Sequence, residues 1–363
     1  MAIVKESFHG SDLEVISKRY DIDIDSIIPY ASNVNPLGIS PMARQALLDN
    51  IDAIKAYPDR DYLSLKTSIS NYCGTDREHL ILGNGTSDLI RLTLEILSPA
   101  RTMIIGPTYA EYARAAKLVG STVDTYMLKD SDDFELDTDL LLEALNESID
   151  LLIICNPNNP TGKAITKEQM NEIAKKCLEL NILVMIDETY VEFVQDVNLI
   201  SSVALTKEYD NLIVLRGVSK FFAAPGIRLG YAITSNADFL EATSNGKIPW
   251  NINAYAAIAG VMFEDEHYIN LTKSLIHTER NLIFSALSSR KTIKVFRPTA
   301  NFILIKLLKE GLTGEDVFDH CIKKGLMIRD CTDYEGLGDK YIRFCFMKPQ
   351  QNDMVVNTIL EVV

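Results

Sequence analysis

The sequence predicts an α/β protein with a large domain, built on a mostly parallel sheet covered by helices on both faces, and a smaller α+β domain at the C-terminus. Short apolar runs typical of buried strands alternate with helical segments from Leu80 to Ile233, which is the pattern of such a sheet. After Ile233 the alternation ends, and a long helical segment precedes shorter strands and helices. The chain has 363 residues, of which 47% are hydrophobic, and this length suits two domains.

Three parts of the chain are expected from this pattern. Residues 1–35 form an N-terminal arm that joins the small domain, residues 36–248 form the large domain and residues 249–363 form the small domain. A short amphipathic helix is predicted in the arm from Asp12 to Arg19.

The charge and cysteine content of the chain limit the kinds of binding partner that we expect. The net charge is −14 and the pI is about 4.9, which argues against nucleic acid and anionic membranes as partners and leaves a small-molecule substrate. The six cysteines form no Cys-x-x-Cys pair, so we expect reduced thiols, no metal and a cytoplasmic location. The N-terminus shows no signal peptide, and no apolar run is long enough to span a membrane.

The first strand of the large domain is predicted at Leu80–Leu82 and leads into a glycine turn and a helix. Gly85, Thr86 and Ser87 lie at the start of this helix, where backbone N–H groups suit an anion. An ordinary helix N-cap explains the same residues equally well.

The next apolar run, Thr102–Gly106, predicts a second strand, and Tyr109 follows its turn. A third strand is expected at Thr122–Met127. The acidic run Asp130–Asp133 then predicts a solvated loop.

Two further buried strands are predicted at Leu151–Cys155 and Leu183–Asp187, with a helix from Glu168 to Leu180 between them. The first ends in a turn dense in Asn, Pro and Gly that contains Asn159. The second delivers Asp187 at its carboxyl end, where open α/β sheets bind ligands.

A lysine follows the strand predicted at Leu212–Leu215. Ser219 and Lys220 lie on the turn beyond it, next to two phenylalanines. Burial of this amine would lower its pKa towards neutrality, and such an amine can form a Schiff base with an aldehyde. The alternative is a solvated lysine at a strand end.

Three strands therefore end in an amide-rich turn, an acid and a lysine. This combination suits pyridoxal phosphate, whose protein partners are a Schiff-base lysine and an acid on the pyridinium nitrogen.

The C-terminal part is predicted to contain a long helix at Glu266–Ser289 and four strands, at Lys294–Phe296, Phe302–Lys306, Leu326–Ile328 and Tyr341–Phe346. Arg343 alternates with apolar neighbours on the last strand. A guanidinium on a buried face needs an anion, and a substrate carboxylate or phosphate competes with a structural salt bridge for this role.

The order of Asn159-Pro-Thr-Gly, Asp187-x-x-Tyr190 and Ser219-Lys220 with downstream Arg228 resembles the fold-type I aminotransferases. The resemblance runs from about Ser32 to Arg343. It is strongest to the branch that holds histidinol-phosphate aminotransferases and threonine-phosphate decarboxylases.

The resemblance implies pyridoxal phosphate as cofactor and a role for each matching residue. Lys220 would bind the cofactor covalently and act as base and acid, Asp187 would pair with the pyridinium nitrogen, and Tyr190 with Asn159 would contact the ring oxygen. The phosphate would be held by Gly85, Thr86, Ser87, Ser219 and Arg228.

The resemblance also implies residues further from the lysine. Tyr109 would stack on the cofactor ring, with core packing as the alternative. Tyr57 would reach the cofactor phosphate of the other subunit in a homodimer, with a plain turn as the alternative. The substrate would contact His9, Asn33, Arg329 and Arg343, although an exposed histidine near a chain end is an equal alternative for His9.

These residues favour a histidinol-phosphate-type aminotransferase, which exchanges an amino group with 2-oxoglutarate. The alternative is threonine-phosphate decarboxylase, which His9-Gly10 and Arg329-Asp330-Cys331 resemble, whereas Ser11-Asp12 and Met347-Lys348-Pro349 depart from it. A ligand sensor on the same fold is a third class, and the complete set of lysine, acid and arginine argues against it.

Overall fold

The computed structural model describes residues 12–246 and 248–363, and in it the predicted apolar runs form a seven-stranded sheet in the order β1-β7-β6-β5-β4-β2-β3. The strands are β1 (Leu80–Gly83), β2 (Arg101–Gly106), β3 (Thr122–Met127), β4 (Leu151–Cys155), β5 (Leu183–Asp187), β6 (Leu212–Gly217) and β7 (Gly230–Ile233). The predicted fold class, a mostly parallel sheet with a smaller C-terminal unit, is confirmed.

Both faces of this sheet are covered, because successive residues of its central strands enter two different apolar clusters. Leu152 and Ile154 of β4 pack in one cluster, whereas Leu151 and Ile153 pack in the other. This alternation follows from the two-residue period of a strand. It explains why the strands are continuous apolar runs.

The helices that accompany the sheet follow the predicted alternation. They are α2 (Pro41–Asp49), α3 (Leu63–Cys73), α4 (Thr86–Leu97), α5 (Glu111–Leu118), α6 (Thr138–Ala144), α7 (Lys167–Glu179), α8 (Ala237–Gly246) and α9 (Ala254–Ile258), after α1 (Leu13–Tyr20) in the arm.

β7 is the antiparallel exception, since it pairs antiparallel with both β1 and β6. Residues 218–229 connect β6 to β7 without an α-helix and contain only the short 3₁₀ turn Pro225–Ile227. A connection without a crossover helix returns the chain antiparallel. It also places Lys220 and Arg228 just beyond the carboxyl end of β6.

The C-terminal part forms a four-stranded antiparallel sheet in the order β10-β11-β9-β8. Its strands are β8 (Ile293–Val295), β9 (Phe302–Leu307), β10 (Arg329–Asp330) and β11 (Tyr341–Cys345), and its helices are α10 (Glu266–Ser288), α11 (Gly314–Ile322) and α12 (Pro349–Leu360).

The strand predicted at residues 326–328 is wrong, because these residues pair with the arm instead of the small sheet. The amide of Met327 donates to the carbonyl of Ile28 at 3.0 Å, and the amide of Ala31 donates to the carbonyl of Met327 at 2.8 Å. The apolar run is buried, but with the arm it forms only one isolated bridge, between Ile28 and Leu326, and therefore no strand.

The arm packs on the small domain, as its predicted position requires. The amide of Cys345 in β11 donates to the carbonyl of Tyr30 at 2.9 Å, and the hydroxyl of Tyr20 donates to Asp319 at 2.6 Å. At its end, the amide of Asn35 donates to the carbonyl of Lys220 at 3.0 Å. The division at residues 35 and 248 stays a prediction.

The acidic run after β3 is not simply a solvated loop. Asp130 accepts from Lys306 and from the hydroxyl of Tyr341, and Asp133 pairs with Lys294 at 2.7 Å. These acids tie the large-domain loop to the small sheet. No helix in the described part of the chain has the length and apolar character that a membrane crossing requires.

Candidate active site

A cavity of about 350 Å³ lies where the carboxyl ends of the central strands meet the arm and the small sheet. Most of the predicted site residues line it. They are Asn33, Thr86, Ser87, Tyr109, Asn159, Asp187, Tyr190, Ser219, Lys220, Arg228, Arg329 and Arg343.

Lys220 lies on the turn after β6 with its amine directed into this cavity. Nζ donates to the backbone carbonyl of Ser32 at 2.6 Å. Burial, the positive charge of Arg343 and that of Arg228 lower the pKa of Lys220 to about 8. Near neutral pH, a useful fraction of this amine is therefore uncharged.

Asp187 lines the cavity and is 4% exposed. It accepts from the hydroxyl of Tyr112 at 2.7 Å, and from the amide and hydroxyl of Thr189 at 2.9 and 2.5 Å. Burial raises the pKa of Asp187, although these bonds act in the opposite direction. A cation placed against this carboxyl would favour its ionised form.

A cradle for an anion forms where α4 begins. Gly85 caps the helix with φ +91°, and the guanidinium of Arg228 lies so close that any Cβ at Gly85 would overlap with it. Arg228 is held by the carbonyls of Pro225 at 3.0 Å and Asn84 at 3.1 Å. The amides of the first helical turn, at Thr86 and Ser87, have no acceptor within the helix, so they and Arg228 suit a phosphate.

Tyr109 lies over the cavity, edge-on to the ring of Tyr112 with centroids 5.6 Å apart. Burial raises the pKa of Tyr109 to about 12, so its hydroxyl keeps its proton at neutral pH.

Asn33 and Tyr190 both line the cavity and contact each other. The Asn33 side-chain amide donates to the hydroxyl of Tyr190 at 3.2 Å, and Asn33 is 1% exposed. Its Oδ1 atom is buried without a hydrogen-bond partner among the described residues. A buried acceptor left unsatisfied is costly, so this atom is a candidate contact for a ligand N–H group.

Arg343 is buried, with 3% exposure, and contacts neutral groups only. It donates to Oδ1 of Asn159, to the hydroxyl of Tyr334 at 3.0 Å and to the carbonyl of Ala31 at 2.9 Å. Within residues 12–246 and 248–363, no carboxylate lies within ion-pair distance of it, and its Nε is unsatisfied. The structural salt bridge considered for Arg343 is therefore not formed with these residues.

Arg329 differs from Arg343, because it has an acid partner inside the cavity. One of its terminal nitrogens contacts both carboxylate oxygens of Asp333, at 2.7 and 2.6 Å. Its guanidinium also lies 5.5 Å from the ring centre of Tyr334.

Gly85 and Tyr57 are not among the residues that line this cavity. Tyr57 is 78% exposed and packs on Trp250 with ring centroids 4.6 Å apart. His9 lies outside the described residues.

The comparisons with known proteins agree with this geometry. The family model for aminotransferase class I and II matches residues 25–359. The chain belongs to the class I and II aminotransferase family. Threonine-phosphate decarboxylase from Salmonella typhimurium is 31% identical over 98% of this chain and 97% of that protein. Histidinol-phosphate aminotransferase from Methanosphaera stadtmanae is 29% identical over 98% of this chain and 95% of that protein.

A solved structure extends the likeness to three dimensions. The histidinol-phosphate aminotransferase from Clostridium acetobutylicum superposes with a TM-score of 0.85 at 34% identity, covering 92% of this chain and 98% of that one.

The cofactor of this aminotransferase family is pyridoxal phosphate, and the residues present fit it. Asp187 is a buried carboxyl whose described partners are uncharged donors, as a site for a pyridinium requires. Lys220 supplies an amine with a lowered pKa, and an added Cβ at Gly85 would overlap with the guanidinium of Arg228, which would have to move.

Three residues that hold predicted site residues, and also Asp333 beside Arg329, were missed by sequence reasoning. Tyr112 and Thr189 hold Asp187, and Tyr334 holds Arg343 and Asn159. Thr189 carried a local signal, since an Asp bonds readily to the backbone two residues on. The contacts of Tyr112 with Asp187 and of Tyr334 with Asn159 join segments 75 and 175 residues apart, and they had no local signal.

Proposed function

We propose that this chain is a pyridoxal-phosphate-dependent aminotransferase of the histidinol-phosphate type, exchanging an amino group between histidinol phosphate and 2-oxoglutarate. The observation that carries the proposal is that Lys220 and Arg343 line the same cavity. A reactive amine and a buried guanidinium without an acid partner among the described residues face the same cavity.

Each residue has a distinct task in this proposal. When bound, the cofactor supplies an electron sink for the bond that breaks at the substrate α-carbon. Lys220 takes the proton from that carbon, and its pKa of about 8 suits a base that must also return a proton. Asp187, which Tyr112 and Thr189 hold in place, would bind the cofactor nitrogen, and Tyr190 and Asn159 would bind its ring oxygen.

Arg343 would meet the anionic end of each substrate in turn. Histidinol phosphate has no carboxylate, so its phosphate is the group available to the guanidinium. In the other half-reaction a carboxylate of 2-oxoglutarate takes the same place. Charge-assisted bonds of this kind are among the stronger contacts that a site can make.

Threonine-phosphate decarboxylase is the second candidate, and two observations favour it. The Salmonella decarboxylase matches nearly the whole chain, and Arg329-Asp330-Cys331 resembles the decarboxylase branch. Threonine phosphate carries both a carboxylate and a phosphate, so it would engage two cationic groups at once.

One paired assay separates the candidates. The purified holoenzyme is incubated with histidinol phosphate and 2-oxoglutarate, and separately with threonine phosphate. Glutamate formed in the first reaction supports the aminotransferase. Carbon dioxide released in the second, with no glutamate in the first, would replace it with the decarboxylase.

We further propose that the active form is a homodimer in which Tyr57 serves the neighbouring site. Its exposed ring on the surface of the chain supports this assignment. The cytoplasmic location is likewise proposed, and its basis is the sequence alone.

A further inference from the structure

We propose that Asp333 is a specificity-determining residue that weakens the binding of a second anionic group beside Arg329, so that the cavity favours histidinol phosphate over threonine phosphate. This inference rests on the proposed function and names its substrate class. It starts from the two arginines of the small sheet.

Arg329 and Arg343 are direct cross-strand partners in the β10–β11 ladder. Residues opposite each other in an antiparallel pair have Cβ atoms about 5 Å apart, and like charges in these positions repel. Both side chains line the cavity, and Arg329 is only 11% exposed. Two guanidinium groups so placed attract anions strongly unless one of them is compensated.

Asp333 provides this compensation for one arginine only. Both of its carboxylate oxygens contact Arg329, at 2.7 and 2.6 Å, and the acid itself lines the cavity. Arg343 contacts an amide oxygen, a hydroxyl and a backbone carbonyl. The arginine pair and Asp333 together carry one net positive charge.

An incoming substrate therefore meets two unequal sites. Its first anionic group finds Arg343 without competition from an acid of residues 12–246 and 248–363. A second anionic group near Arg329 must displace the Asp333 carboxylate or lie beside it. Histidinol phosphate has only its phosphate, whereas threonine phosphate adds a carboxylate, so Asp333 disfavours the second compound more than the first. The second carboxylate of 2-oxoglutarate would meet the same competition, so Asp333 lowers the affinity for a second anionic group without excluding it.

Glu335 offers a matched control for this charge. It lies two residues further along the same loop, is exposed and does not line the cavity. Asp333→Asn and Glu335→Gln remove the same formal charge, but only the first removes it from Arg329. Asp333→Ser, which also lacks the charge, guards against an effect peculiar to asparagine.

The test measures binding of two amine-free probes to the holoenzyme by calorimetry, so it does not depend on which reaction the enzyme catalyses. 3-Phosphoglycerate carries a phosphate and a carboxylate, and glycerol 3-phosphate carries the phosphate alone. We expect Asp333→Asn and Asp333→Ser to tighten 3-phosphoglycerate by about tenfold, or about 1.4 kcal/mol, with less than about threefold change for glycerol 3-phosphate. Glu335→Gln should change neither.

If both Asp333 variants weaken the two probes equally, Asp333 merely orients Arg329 and the inference is wrong. It is also wrong if the ratio of the two dissociation constants stays that of the unmodified enzyme. The turnover assay on histidinol phosphate and threonine phosphate tests the proposed function separately.

Discussion

At the scale of single residues, the surroundings of Lys220 set the pH at which its amine reacts. Its pKa is lowered from 10.5 to about 8 by burial and by Arg343 and Arg228. Below that pH the amine is protonated and cannot attack an aldehyde, and above it the neutral amine predominates. The reactivity should therefore be lost as the pH falls through about 8.

The first prediction concerns the attachment of pyridoxal phosphate to cofactor-free protein. Its rate should rise about tenfold per pH unit below pH 8 and level off above it, as followed by absorbance. Borohydride should then fix the label on Lys220, and Lys220→Ala should lose it. Arg343→Gln should shift the midpoint to higher pH by removing a positive neighbour, whereas Arg343→Lys should not. A midpoint near 10.5, or a label on another lysine, would contradict this assignment.

The second prediction concerns the planar fork of Arg343. Arg343→Lys keeps the charge but loses the two-pronged contact, and bonds to charged groups are worth about 1.5–3 kcal/mol. We expect kcat/KM for glutamate to fall by roughly ten- to a hundredfold. Arg101→Lys, at an exposed ion pair with Asp124, is the matched control and should leave kcat/KM unchanged. Equal loss in both variants would remove Arg343 from the substrate site.

Residue identities were predictable where one local pattern carried them. Lys220, Asp187 and Asn159 each follow an apolar run, so the strand and its carboxyl end could be inferred together. Tyr334 and its bond to Asn159 span 175 residues of chain. No periodicity encodes such a contact, because it depends on how the small sheet packs over the large one.

At the scale of elements, the start of α4 couples a backbone conformation to a binding site. Gly85 adopts φ +91° and lies against Arg228, whose guanidinium occupies the place that a Cβ would need. The turn before α4, which contains Gly85, and the turn after the 3₁₀ segment Pro225–Ile227, which contains Arg228, are therefore in close steric contact.

The third prediction follows from this fit. Gly85→Ala should displace Arg228 and weaken the affinity for pyridoxal phosphate by about tenfold or more, measured by titration of the cofactor-free variant. Gly74→Ala is the control, because Gly74 has φ +67° but no neighbour within 4 Å of an added Cβ. Gly74→Ala carries the strain of a left-handed non-glycine residue, about 1–2 kcal/mol. Gly85, at φ +91° and ψ 167°, adopts a conformation found almost only in glycine, where another residue costs about 1–3 kcal/mol, so both variants should unfold at lower temperature. Unchanged cofactor affinity in Gly85→Ala would show that the cradle lies elsewhere.

The elements themselves were predictable from hydrophobic periodicity, with two informative exceptions. The antiparallel direction of β7 depends on a connection without a helix, and the apolar run alone does not encode direction. The run at 326–328 is buried as expected, but its partner is the arm at residues 28–31. A local apolar run is enough to predict that a segment is buried. Which segment it pairs with depends on tertiary packing, which the run does not encode.

At the scale of the whole molecule, the site needs three separated parts of the chain. The strand ends of the large sheet supply Asp187 and Lys220, the arm supplies Asn33, and the small sheet supplies Arg343. The carbonyl of Asn33 accepts from Asn301 at 2.9 Å, just before β9. Any shift of the small sheet would therefore move Arg343 relative to Lys220.

The last prediction extends this dependence to a second subunit. Tyr57 is 78% exposed, and exposed apolar side chains such as Ile51 and Ile54 lie near it in the sequence. We expect Tyr57 to complete the phosphate site of a neighbour in a symmetric dimer. Tyr57→Ala and Lys220→Ala proteins should each have little activity at limiting pyridoxal phosphate. In a hybrid dimer one site keeps both residues, so an equal mixture refolded together should recover about a quarter of the wild-type activity.

Tyr57→Phe keeps the ring that packs on Trp250 and tests the hydroxyl alone. If Tyr57 served its own subunit, every site in the hybrid would lack one residue and no activity would return.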